Sequence, residues 1–171
     1  MITTQLIEAI RGQYDLPWNG CHGVAHWARV RENGLRIAAS LPGVNPRVVE
    51  LFAVFHDSRR QNDGWDHGHG HRGGELAKLL RGSLFEVTDE EFALLYTACR
   101  YPTDGKTEAD PTVQACWDAD RLDLGRVGIT PNPRYLCTPL AKDPAMIRWA
   151  NERARRRTVP QFAVQEWDAS Y

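Results

Sequence analysis

Residues 51–60 read LFAVFHDSRR, in which an apolar run ends abruptly at His56 and Asp57 and two arginines follow. A carboxylate in this position is partly buried, which is costly unless it meets a cation, a metal or several hydrogen-bond donors. An imidazole beside a carboxylate suits a divalent metal. The alternative is a helix end with a core histidine and a capping aspartate. For an isolated His-Asp pair this alternative would be the better interpretation, because buried polar groups usually have structural partners. The rest of the chain decides between the two.

The composition is that of an ordinary globular protein. A chain of 171 residues fits one domain, expected to span residues 1–171, with room for a sizeable core. A net charge of −1 with 25% charged residues gives no general electrostatic reason to expect a nucleic-acid polymer or an acidic membrane as partner. All six histidines lie between positions 22 and 71, and this clustering is the first indication of a site.

The sequence carries no recognisable targeting or membrane segment. Its first residues lack the basic region and long apolar run of a signal peptide, and no stretch approaches the roughly 20 apolar residues of a membrane span. The four cysteines form no CxxC pair and no zinc-ribbon spacing. A cytoplasmic protein with reduced thiols is therefore expected.

Apolar residues recur at helical spacing along most of the chain, and no segment alternates as a strand would. The pattern predicts helices at about 3–13, 22–40, 47–57, from 71, 88–100, 112–123 and from 144. Three of them start at an Asn-Pro or Asp-Pro pair, and Thr88 with Glu91 has the spacing of a capping box. We expect an all-α, single-domain bundle of six or seven helices, with a motif-bearing core at about 22–124 and a C-terminal helix and tail at 143–171.

Four metal-ligand side chains fall in segments that are otherwise apolar and so face inward: His26, His56, Asp57 and Asp120. Asp118 and Asp120 are about 200° apart on a helix, so only one of them is expected to face the core, and Asp120 is the better candidate.

These residues carry a resemblance. The order His26-Trp27-Ala28-Arg29-Val30, then His56-Asp57, then Asp120-Arg121-Leu122 resembles the HD-domain superfamily of metal-dependent phosphohydrolases over roughly residues 22–124. The resemblance implies the all-helical HD bundle, which agrees with the helix pattern. It also implies one divalent metal per chain, held by His26, His56, Asp57 and Asp120.

Such a ligand set leaves open positions on a six-coordinate metal for water and substrate oxygen. A metal-bound water has a lowered pKa and supplies hydroxide near neutral pH, while the cation polarises the phosphoryl group. Manganese, iron, nickel, cobalt and magnesium all remain candidates, although nitrogen ligands argue against magnesium alone. Asp57 is expected to act both as ligand and as the group that orients the attacking water.

Further histidines follow the His-Asp pair. By resemblance, His69 is a candidate for a second metal or for substrate phosphate, and His71 is a weaker one. A second metal in such relatives usually needs another histidine, and residues 96–107 contain none. Residues 101–105 occupy the place where it would be sought. This departure favours a mononuclear site and weakens the case for a di-iron oxygenase.

Other polar residues are candidates for contact with substrate. His22 lies one turn before His26. It is expected either to approach the metal, act as acid or base or contact substrate, or to lie outside the ligand shell or on the surface. Arginine suits bidentate contact with phosphate. The candidate phosphate-binding cations are Arg29, Arg59, Arg60, Arg72 and Lys106.

The function expected from this pattern is hydrolysis of a phosphate ester in a small molecule or nucleotide by metal-activated water. The alternatives are a metal-binding regulatory protein of HD fold with little turnover and, less favoured, an HD-type iron oxygenase. The expected partner is a small phosphorylated substrate, and the sequence leaves the oligomeric state open.

Overall fold

The computed structural model describes residues 2–100 and 106–170, and this part of the chain forms nine α-helices and no β-strand. The helices are α1 (Thr4–Arg11), α2 (Val24–Ser40), α3 (Pro46–Phe55), α4 (His69–Leu80), α5 (Asp89–Arg100), α6 (Pro111–Arg121), α7 (Pro139–Lys142), α8 (Pro144–Arg155) and α9 (Gln161–Glu166). Two 3-10 turns, Leu124–Val127 and Pro133–Tyr135, lie between α6 and α7. The all-α prediction is confirmed: the seven predicted helices are present, and the short α7 and α9 add to them.

The helix starts follow from local sequence. Side-chain oxygens of Asn45, Asp110 and Asp143 accept hydrogen bonds from backbone N–H groups of the next turn, and proline follows each cap. Thr88 and Glu91 exchange hydrogen bonds of 2.9 and 3.2 Å, which confirms the predicted capping box.

Helix α3 is the centre of the bundle. It packs against α2, α4, α5 and α6, and every residue from Val48 to Phe55 except Glu50 is buried. The helix ends at Phe55, two residues earlier than the pattern predicts, and the His56 N–H still donates to the Phe52 carbonyl at 3.0 Å. His56 and Asp57 therefore emerge at the C-terminal end of the most buried helix.

Helix α4 reaches this end of α3 because Gly73 has no side chain. A Cβ at Gly73 would overlap the Phe55 carbonyl oxygen and lie 3.3 Å from the His56 carbonyl oxygen. Such an approach of helix to backbone is open only to glycine. It brings His69, the first residue of α4, beside the His56-Asp57 pair.

The C-terminal part closes the bundle. Helix α8 packs on the Leu124–Val127 turn and on α2, and the tail packs through Trp167, which is buried. None of the described helices combines the length and apolar character that a membrane span requires. Residues 101–105, where a further histidine would be sought, lie outside the described residues.

Candidate metal centre

The four predicted metal ligands converge from three helices. His26 lies in the first turn of α2, His56 and Asp57 follow α3, and Asp120 lies in the last turn of α6. Nε2 of His26 is 3.1 Å from Nε2 of His56 and 3.4 Å from Oδ1 of Asp120. Oδ2 of Asp57 is 3.6 Å from His26 Nε2 and 3.9 Å from His56 Nε2.

The outer nitrogen of each imidazole is held by an acceptor. His26 Nδ1 donates to Oδ2 of Asp123 at 2.8 Å, and His56 Nδ1 lies 3.1 Å from the carbonyl oxygens of both Phe52 and Ala53. Each acceptor requires a proton on Nδ1, so in the neutral rings both Nε2 atoms present lone pairs to one another. Two lone pairs at 3.1 Å, with two carboxylates beside them, repel unless a cation lies between them.

Asp120 supplies a second indication of a cation. Only 16% of its side chain is exposed. The Oδ1 atom is buried and has no hydrogen-bond partner among the described residues. Buried carboxylate oxygens are otherwise hydrogen-bonded. Ligand atoms bound at about 2.1 Å to one ion lie roughly 3 Å apart, close to the separations of 3.1 to 3.9 Å here. The donor set therefore fits a divalent ion.

The electrostatics keep the carboxylates charged and His26 neutral. Burial would raise the pKa of Asp57 and Asp120, but the charge that His56 carries in its protonated form, together with nearby charged groups such as Arg60 and Arg126, holds both pKa values below the usual range, that of Asp57 well below it. Burial lowers the pKa of His26 to about 4. Anionic carboxylates and neutral imidazoles are the protonation states in which these groups bind metals.

Asp57 contacts most of the residues in the cluster because its two oxygens face different partners. Oδ2 faces the imidazoles of His26 and His56 and accepts from Nδ1 of His22 at 2.9 Å. Oδ1 lies 3.4 Å from Nε2 of His69 and 3.5 Å from Nη1 of Arg60. His69 Nδ1 in turn lies 2.5 Å from the Asp66 carbonyl oxygen. His22, His69 and Arg60 are thus brought to the site.

The other residues predicted to contact substrate are engaged elsewhere. Arg29 is buried and donates to Asp123, Arg59 donates to the Gln13 carbonyl, and Arg72 forms an ion pair with Asp66. His71 is exposed, with its Nδ1 3.2 Å from the Tyr96 hydroxyl. The Lys106 side chain is exposed, and its backbone oxygen accepts from Arg121.

Two local expectations are corrected by the structure. His22 precedes α2, which begins at Val24, so His22 and His26 reach the site from a turn and a helix rather than from one helical face. Asp118 is fully buried, whereas the Asp120 side chain is 16% exposed. It accepts from the backbone N–H groups of Cys137 and Thr138 at 2.7 Å each and from the Thr138 hydroxyl, so it anchors the loop before α7.

Asp123 and Arg126 are site residues that the sequence reasoning missed. Asp123 accepts from His26 and from Nε and Nη2 of Arg29, at 2.8 and 3.0 Å. Arg126 Nη2 lies 3.7 Å from Oδ1 of Asp120. The sequence offered only one signal for them: Asp123 and Arg126 follow the predicted ligand Asp120 by three and six positions.

The fold and the site together define an all-helical protein with a buried cluster of two imidazoles and two carboxylates. Comparisons with protein-family models, with curated proteins and with solved structures find no match to this chain.

Proposed function

We propose that this protein is a metal-dependent phosphohydrolase of the HD type that cleaves a phosphate ester of a small molecule or nucleotide. The observation that carries the proposal is the 3.1 Å separation of Nε2 of His26 and Nε2 of His56, flanked by Asp57 and by Oδ1 of Asp120, which has no hydrogen-bond partner among the described residues. A divalent ion bound there would lower the pKa of a water molecule and polarise a phosphoryl group.

Asp57 is suited to two tasks in this reaction. Its Oδ2 faces the imidazole nitrogens, whereas Oδ1 has only long contacts, 3.4 Å to His69 and 3.5 Å to Arg60. Oδ1 is therefore able to accept a hydrogen bond from the attacking water and orient it. His22, whose Nδ1 donates to Oδ2 at 2.9 Å, holds the Asp57 carboxylate in this orientation.

Two guanidinium groups lie close enough to the centre to meet a phosphate, and each is held in place by a backbone carbonyl oxygen, that of Gly64 for Arg60 and that of Cys21 for Arg126. Arg60 lies beside Asp57, and Arg126 lies beside Asp120, with side chains that are 10% and 6% exposed. Planar guanidinium groups bind phosphate oxygens with two hydrogen bonds and offset the charge that develops on them. Their position next to ligand carboxylates, rather than on the outer surface, favours an anionic substrate.

The test couples metal analysis to a substrate screen. The purified protein is expected to hold a stoichiometric transition metal and to hydrolyse at least one member of a panel of phosphomonoesters and nucleotides, with activity lost in Asp57→Ala. Asp168→Asn, which alters an exposed aspartate, is the matched control and should keep the activity. Bound metal without turnover across the panel would refute hydrolysis and favour a binding protein. Oxygen consumption with an organic substrate would favour the oxygenase.

A further inference from the structure

A second group of metal-ligand side chains lies beside the first. Cys21 and His22 belong to the turn before α2, and Asp63 belongs to the loop between α3 and α4. Each residue offers one ligand atom, and the three atoms lie within 4.8 Å of one another. The Cys21 thiol is 3.5 Å from Oδ1 of Asp63.

We propose that Cys21, His22 and Asp63 form a separate, sulfur-containing site for a zinc-like cation. Thiolate, imidazole and carboxylate are the three side-chain donors that zinc takes, and a site with three protein ligands keeps a fourth position for water or substrate. Sulfur at about 2.3 Å and oxygen at about 2.0 Å from a tetrahedral zinc are roughly 3.5 Å apart. The observed separation of Cys21 Sγ and Asp63 Oδ1 equals that distance.

The hydrogen bond from His22 to Asp57 sets the tautomer that a metal ligand needs. Its Nδ1 donates to Oδ2 of Asp57 at 2.9 Å, so in the neutral ring the proton is on Nδ1 and Nε2 has a lone pair. A histidine whose other nitrogen donates to a carboxylate is the usual arrangement around bound zinc. Here that carboxylate belongs to the first cluster, so the hydrogen bond from His22 to Asp57 joins the two sites.

Tyr14 supplies an independent observation at the same place. Its hydroxyl is buried and has no hydrogen-bond partner among the described residues. Burial, followed by the charges of Asp57, Asp63 and Cys21, raises the pKa of Tyr14. A buried donor without an acceptor calls for a further polar group. A water or anion in the fourth position of the cation would provide it.

The cluster is unlike a thiol that is activated for chemistry of its own. Reactive cysteines lie beside cationic groups, whereas the Cys21 thiol lies 3.5 Å from the Asp63 carboxylate. Binding of a cation displaces the thiol proton and removes the conflict between Cys21 and Asp63. The sulfur also distinguishes this site from the first, which contains only nitrogen and oxygen donors.

Cobalt substitution tests the proposal without reference to activity. The metal-free full-length protein, titrated with Co²⁺, is expected to show a thiolate-to-cobalt charge-transfer band in the near ultraviolet and to bind two ions per chain. Cys21→Ser should abolish the band and one equivalent of cobalt. Asp63→Asn should weaken cobalt binding at this site by at least the roughly 10–100-fold known for changes to groups that only hydrogen-bond to a metal ligand.

Two control variants make the outcome decisive. Cys137→Ser changes the other partly exposed thiol and should keep the band. His26→Ala should lose the first metal and keep the band, which separates this proposal from the phosphohydrolase. Thermal unfolding of each variant checks that the fold is retained. Absence of the band in the wild-type protein, or its survival in Cys21→Ser, would overturn the second site.

Discussion

The substitution Asp123→Asn tests how the candidate centre is held together. The Asp123 carboxylate accepts three hydrogen bonds, one from His26 and two from Arg29, and it is fully buried. Its pKa is held below the usual range because hydrogen bonding by His26 and the Arg29 charge outweigh burial. The neutral amide removes the charge that compensates Arg29, which is itself only 3% exposed.

The magnitude follows from these contacts. Removing one partner of a buried ion pair costs about 3–5 kcal/mol because it leaves a charge without compensation. Since asparagine keeps one acceptor oxygen, we expect the lower end, about 3 kcal/mol. His26 also loses its charged acceptor, and changes of this kind weaken metal binding by roughly 10–100-fold.

Two measurements check the prediction: urea denaturation of the metal-free protein and metal affinity by chelator competition. Asp168→Asn is the matched control, because Asp168 also pairs with an arginine, Arg11, but its side chain is 79% exposed. The control should change stability by less than about 0.5 kcal/mol. Equal effects of the two substitutions on stability and on metal affinity would refute the role assigned to Asp123.

Three further predictions concern the same site. Asp120→Ala should lose bound metal and keep its helical circular dichroism; unchanged metal content would remove Asp120 from the ligand set. His69→Ala should lower the turnover number more than His71→Ala, and the reverse order in steady-state assays would contradict the placement of α4. The metal-free protein should lose stability as the pH falls from 6.5 to about 4, because His26 has its pKa lowered on folding and the unfolded chain takes up the proton first. That loss amounts to about 3 kcal/mol and should be absent from pH-dependent denaturation of His26→Gln.

The fold could be predicted largely from local patterns. Burial of α3 follows from its apolar residues, which Glu50 alone interrupts between Val48 and Phe55, and the starts of α3, α6 and α8 follow from Asn or Asp before proline. These signals act within one helical turn, so sequence alone carries them. The expectation that only one of Asp118 and Asp120 faces inward was wrong because α6 is enclosed on two sides, by the site and by the loop at 137–138.

The partners of charged side chains could not be predicted in the same way. Arg29 was a candidate for phosphate contact, yet it pairs with Asp123, 94 positions along the chain. Cys21 and Asp63 are 42 positions apart and meet only because the loop after α3 folds back over the turn before α2. An arginine or aspartate has the same local pattern whether it meets solvent, a substrate or an opposite charge. Only the tertiary arrangement distinguishes these cases.

The site is also sensitive to substitution at Gly73, a residue that is not one of the predicted ligands. Any larger residue there would push α4 away from the Phe55 carbonyl and move His69 off Asp57. In saturation mutagenesis with activity as the readout, position 73 should therefore tolerate as few substitutions as the predicted ligand positions, although glycine contributes no functional group. Variants at position 73 should still bind metal at the candidate centre, because the four predicted ligand side chains lie on α2, on α6 and at the end of α3. A Gly73→Ala variant that binds metal normally but turns over more slowly would indicate that the added methyl group has displaced α4.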